Sequence, residues 1–146
     1  MAAEPHLTLI GRTIQLSVAP VFLLTAIGTM LAVLTNRLNR IVDRARILEE
    51  HLTSLPAKEG DEIHAELSTL SRRSNFINVA ITLGTICALL ICSMVAAMFI
   101  GVFLSVDLTD VVALLFVTAM LAFIGALISF LREIFVAVKA LRIEMK

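Results

Sequence analysis

Four arginines, Arg37, Arg40, Arg44 and Arg46, stand in one short stretch, and Arg72 and Arg73 follow later as an adjacent pair. Guanidinium forks at that density suit phosphate or carboxylate, which they hold through paired, charge-assisted hydrogen bonds. Where such a cluster closes a long apolar run, its ordinary use is to fix topology and grip anionic lipid headgroups, at about 1 kcal/mol per base. A discrete anion site shared between subunits is the sharper alternative, and the lipid-facing collar is the expected one. Asp43 is the acid among the first four, and Asn36, Asn39 and Asp43 fall at i, i+3 and i+7, one line along a helix. That line is expected to form a polar clamp toward Arg72, Arg73 or Arg132, since a lone carboxylate among cations makes a poor general base.

His51 and His64, with Glu50 and Glu62, flank the breaker-rich stretch at 54–60. They would approach each other if that stretch turned, but their spacing matches no established metal-ligand pattern. Glu49, Glu50, Glu59, Asp61, Glu62 and Glu66 around Lys58 read as a solvated acidic tip. Cys87 and Cys92 are five apart in an apolar run, so a helix points them to different faces, and small buried side chains without redox or metal duty are expected. There is no G-x-S-x-G, no glycine-rich phosphate loop, no H-E-x-x-H and no nucleophile beside a base. The expectation is no enzyme, no cofactor and no metal. Basic residues at a membrane boundary without interleaved aromatics exclude nucleic acid as the expected partner.

The elements carrying these residues are set by hydropathy. The chain is 59% hydrophobic, with a mean hydropathy of +0.97, against roughly 45–50% apolar in soluble domains. Residues 14–35, 76–106 and 111–131 carry no charge. Each reaches the roughly 20 helical residues that a hydrocarbon core of about 30 Å requires. The first run is too long for a signal-peptide core and no small-residue cleavage site follows it, so no cleaved leader is expected. Pro20 falls early in the first run, where a mild kink is expected.

Seams continue past the charges at steps of four and three: Leu34, Leu38, Ile41, Ala45, Leu48 and Leu52, then Ile63, Leu67, Leu70, Ser74 and Ile77, then Leu127, Leu131, Ile134, Val138, Leu141 and Met145. The spacing predicts an all-α membrane protein forming one domain. It has three transmembrane helices (about 14–35, 76–104 and 110–131), a cytoplasmic helical hairpin (about 36–75), and a C-terminal helix extending the third crossing (about 132–146). Asp107 is placed to cap the third helix and Asp110 to meet its dipole. Arg37, Arg40, Arg44, Arg46, Lys58, Arg72 and Arg73 lie between the first two runs, and Arg132, Lys139, Arg142 and Lys146 follow the third. Only Arg12 lies on the other side, which predicts N-terminus outside and C-terminus cytoplasmic.

No acidic or basic residue interrupts the runs, which weighs against a proton-coupled transporter. Small residues recur at packing intervals instead: Gly28-x-x-x-Ala32, Gly84-x-x-x-Ala88, Ala97-x-x-x-Gly101, Ala122-x-x-x-Ala126 and Gly125-x-x-x-Ser129. Gly28, Gly84, Gly101 and Gly125 are therefore candidate helix-packing positions, within the chain or between subunits. Thr25 and Thr29 mark a weakly polar stripe that would line a pore if the first helix formed a ring.

Ala19-Pro20-Val21-Phe22-Leu23-Leu24, Ile27-Gly28 and Arg37-Leu38-Asn39-Arg40-Ile41-Val42-Asp43-Arg44, with Leu70-Ser71-Arg72-Arg73 ahead of an apolar run, resemble the bacterial domain-of-unknown-function 2721 family from about residue 13 to 139. The resemblance implies a small bacterial inner-membrane protein and brings no activity or catalytic residues with it. The expected role is a structural, accessory or scaffold subunit, homo-oligomeric or attached to a larger complex, with anionic lipid at its collar. A homo-oligomeric channel lined by the first helix is the alternative.

Overall fold

The computed structural model describes residues 3–52 and 60–144, with side chains described over 7–51 and 63–138. Three helices hold nearly all of them: α1 (Ala3–Leu52), α2 (Gly60–Leu104) and α3 (Thr109–Glu144). No strand occurs among the described residues. The expected turn at 54–60 lies outside them apart from Gly60, which opens α2, as do the side chains of Lys58, Asp61 and Glu62.

Each helix is long and apolar enough to cross a membrane, and the most apolar windows are only 11%, 17% and 11% buried by the rest of the chain. Phe22, Leu89, Phe103, Leu114 and Leu121 are all largely exposed. Apolar surface on that scale is stable in hydrocarbon and a liability in water, while an α-helix satisfies its own backbone there. The chain is a multi-pass membrane protein. Pro20 lies inside α1, which remains helical both around it and through the arginines at 37–46.

The chain divides into two compact units, each made from parts of all three helices. One comprises Met1–Met30 and Leu83–Ile124. Its core is Ile27, Cys87, Ile91, Met94 and Ala119. Thr13 and Ser17 are also buried there, and their hydroxyls donate to their own helix, Thr13 to the Leu9 carbonyl at 3.0 Å and Ser17 to that of Ile14 at 2.8 Å.

In this unit α2 ends on a residue of unusual conformation. Ser105 has φ 53°, and the Val106 N–H donates to the Gly101 carbonyl at 3.0 Å. Together these form a Schellman cap, whose left-handed position favours glycine. A Cβ on Gly101 would stand 3.1 Å from the Val106 carbonyl oxygen, so glycine there leaves room for the departing chain. Ser105→Gly is expected to stabilise the protein by about 0.5–1 kcal/mol, because serine carries a Cβ penalty in that region. A thermal melt in detergent checks this, and an unchanged or lower midpoint would refute it. Asp107 then caps α3 as expected, its Oδ1 accepting the Thr109 N–H at 3.0 Å. The Thr109 side chain and backbone both hold the Asp107 carboxyl below the usual carboxylate range.

The other unit comprises Leu31–Thr82 and Gly125–Lys146. Leu34, Ile41 and Leu48 on α1 and Leu70 and Ile77 on α2 are buried in it, on the seams predicted for those helices. The third helix departs from expectation. Leu127, Leu131 and Val138 are 42%, 52% and 57% exposed, whereas Ala126 and Glu133 are 0% exposed. Small residues let the α3 backbone approach its neighbours, and large aliphatic side chains lose nothing by facing lipid. The inward face of α3 is thus the alanine face, rotated away from the leucine seam.

Candidate functional site

Glu133 is the one charged side chain buried among the described residues, and the sequence reading overlooked it. It is held from two sides. Arg37 Nη1 on α1 donates to Oε2 at 2.7 Å. Arg73 on α2 donates to Oε1 through Nη2 at 3.0 Å and through Nε at 3.3 Å. The guanidinium of Arg37 also lies 5.3 Å from the centroid of the Phe130 ring, one turn before Glu133 on α3.

The packing explains why these groups meet. Arg37 lies between Leu34 and Ile41, and Arg73 between Leu70 and Ile77. All four apolar neighbours are buried, so both arginines are delivered to the inner edge of their helices. Glu133 stands seven residues after Ala126, which returns it to the same buried face of α3. Arg37 and Arg73 remain 41% and 24% exposed, so their outer donors reach solvent or headgroups while the carboxylate does not. The arrangement resolves the cost of burying a carboxylate by pairing it twice. Among the described residues no buried polar side-chain atom lacks a partner.

The collar residues separate into groups. Arg37, Arg40, Arg44 and Arg73 line a cleft of about 430 Å3 whose floor includes Ile41 and Ile134. Arg44 also pairs with Glu66, Nη2 to Oε1 at 3.0 Å, an exposed contact of small energetic value. Arg46 borders a different cleft, beside Val42 and Glu49, and Arg72 is exposed outside both. Asn36, Asn39 and Asp43, the predicted clamp, are exposed and join none of the ion pairs just described. The acid that joins all three helices is Glu133.

Thr25 and Thr29 are exposed, and their hydroxyls donate to their own helix, to the Val21 carbonyl at 3.4 Å and the Thr25 carbonyl at 3.0 Å. Gly84 is buried and Gly125 half-buried. Gly28 is exposed, with open space where a Cβ would stand. His51 Nδ1 lies 3.0 Å from the Ile47 carbonyl. No metal-binding group of three or more His, Cys, Asp or Glu occurs among the described residues.

The profile of one protein family, described as "Protein of unknown function (DUF2721)", matches residues 17–143. No curated protein and no solved structure matches the chain.

Proposed function

The chain belongs to the DUF2721 family, and on that premise we propose that it is a structural or accessory subunit of a membrane assembly, without catalysis of its own. The observation carrying this reading is the state of Glu133. Both of its carboxylate oxygens are occupied by arginines from two other helices, which leaves no face of it open to a substrate. A group so engaged joins helices.

The surface supplies the means of association. Thr25, Gly28, Thr29 and Ala32 are exposed along α1, and Gly28 has no neighbour within 4 Å of its Cβ position. Such a strip admits a second helix backbone at close range, in another copy of the chain or in a larger complex. The threonine hydroxyl donors already serve their own helix, which favours lateral association over the pore reading. The distribution of basic residues supports an N-terminus outside and a C-terminus in the cytoplasm, with the arginine collar at anionic headgroups, and the family resemblance supports a bacterial inner membrane.

Purification from native membranes tests the reading. The expected result is a species larger than the 15.9 kDa chain, or a stoichiometric partner. A strict monomer in both mild detergent and native membranes, with nothing co-purifying, overturns it.

A further inference from the structure

The cleft beside Glu133 combines two chemistries. Its rim holds Arg37, Arg40, Arg44 and Arg73, and its floor includes Ile41 and Ile134. The carboxylate of Glu133 offsets one charge of the Arg37–Arg73 pair, and Glu66 offsets that of Arg44. Arg40 has no ion pair or hydrogen bond among the described residues and is exposed on the rim. The cleft therefore keeps an excess of positive charge, with one guanidinium fork uncommitted among the described residues.

Its position adds a second constraint. Arg37 follows the uncharged run at 14–35, Arg73 precedes the run at 76–106, and Glu133 follows the run at 111–131. All three mark the same end of the apolar spans, which is where lipid headgroups lie. A volume of about 430 Å3 accommodates a headgroup but not a whole diacyl lipid. Exposed Leu131, on the membrane side of the cleft, offers an acyl chain an apolar path away from it.

We propose that this cleft is a specific site for one anionic phospholipid, its phosphate held by Arg40 with support from Arg44 and its glycerol end resting on Ile41 and Ile134. This rests on the membrane-surface reading above and narrows it from a diffuse collar to one seat. A zwitterionic lipid carries its own cation toward the arginines and is disfavoured, whereas a glycerol headgroup brings none. The guanidinium fork matches the phosphodiester oxygens, which gives the site geometry as well as charge.

Native mass spectrometry on the full chain, released from bilayers of equal phosphatidylglycerol and phosphatidylcholine, tests the proposal. One phosphatidylglycerol should be retained per chain, with roughly tenfold preference over phosphatidylcholine. Arg40→Gln should lower that occupancy roughly tenfold, the loss of one charge-assisted contact. Arg132→Gln removes the same charge from an exposed position outside the cleft and should change occupancy less than about twofold. Melting curves on both variants establish that each is folded. Equal losses in the two variants would mean a diffuse collar, ending the site proposal while leaving the association reading untouched. Absence of headgroup preference also ends it. Displacement of the lipid by millimolar inorganic phosphate would reassign the cleft to a soluble anion and overturn the lipid identity.

Discussion

Replacing Arg37 and Arg73 together with methionine should destabilise the protein by about 3–5 kcal/mol, the cost of leaving a buried charge unpaired. Glu133 is 0% exposed and its partners among the described residues are these two arginines. Removing the acid instead should be milder. In Glu133→Leu the orphaned cations are already 41% and 24% exposed and turn outward, so about 1–3 kcal/mol is expected. The triple variant, Arg37→Met, Arg73→Met and Glu133→Leu, should recover most of the loss suffered by the arginine double, because an apolar replacement of a whole buried ion cluster is often neutral or better. Equilibrium unfolding in bicelles, arranged as a mutant cycle, measures all three. If the arginine double is no less stable than Glu133→Leu, the clamp does not hold a charged carboxylate.

Overpacking α3 is the second large effect. Ala126→Leu places three extra carbons at a position that is 0% exposed, and a loss of about 1–3 kcal/mol or more is expected. Its neighbour Leu127 is 42% exposed, and Leu127→Ala should change stability by about 0.5 kcal/mol or less. The pair reads out the rotational phase of α3 by two adjacent substitutions of opposite sense. A tolerated Ala126→Leu together with a damaging Leu127→Ala would return the leucine seam to the inside.

Much of the fold is legible in the sequence because hydrocarbon imposes a simple rule: uncharged runs of the right length become helices. The inward seams of α1 and α2 are legible too, since Leu34, Ile41, Leu70 and Ile77 pack beside charged segments where apolar and polar faces differ. That contrast vanishes on α3. There both faces of the run are apolar, and stepping backward from Val138 through Leu131 selects the bulkiest side chains when bulk faces lipid. The spacing of Ala122, Ala126, Gly125 and Ser129 carried the opposite signal. Following that small face one heptad beyond Ala126 arrives at Glu133, so the missing acid was readable from the packing motif. Asp43 sits among arginines in sequence, whereas Arg37 and Arg73 meet an acid brought from another helix.

The separation of those partners along the chain has a bearing on how the protein is made. Arg37 is 96 positions ahead of Glu133, and Arg73 is 60 ahead. At about 5–20 residues per second, Arg37 is translated some 5–20 s before its acid exists. Through that interval both guanidiniums must be served by water or phosphate. Arrival of the carboxylate then replaces those transient partners with a permanent one. The third helix thus carries the group that registers the two before it as assembled, and until it is made two unclaimed cations stay on display to whatever surveys the membrane.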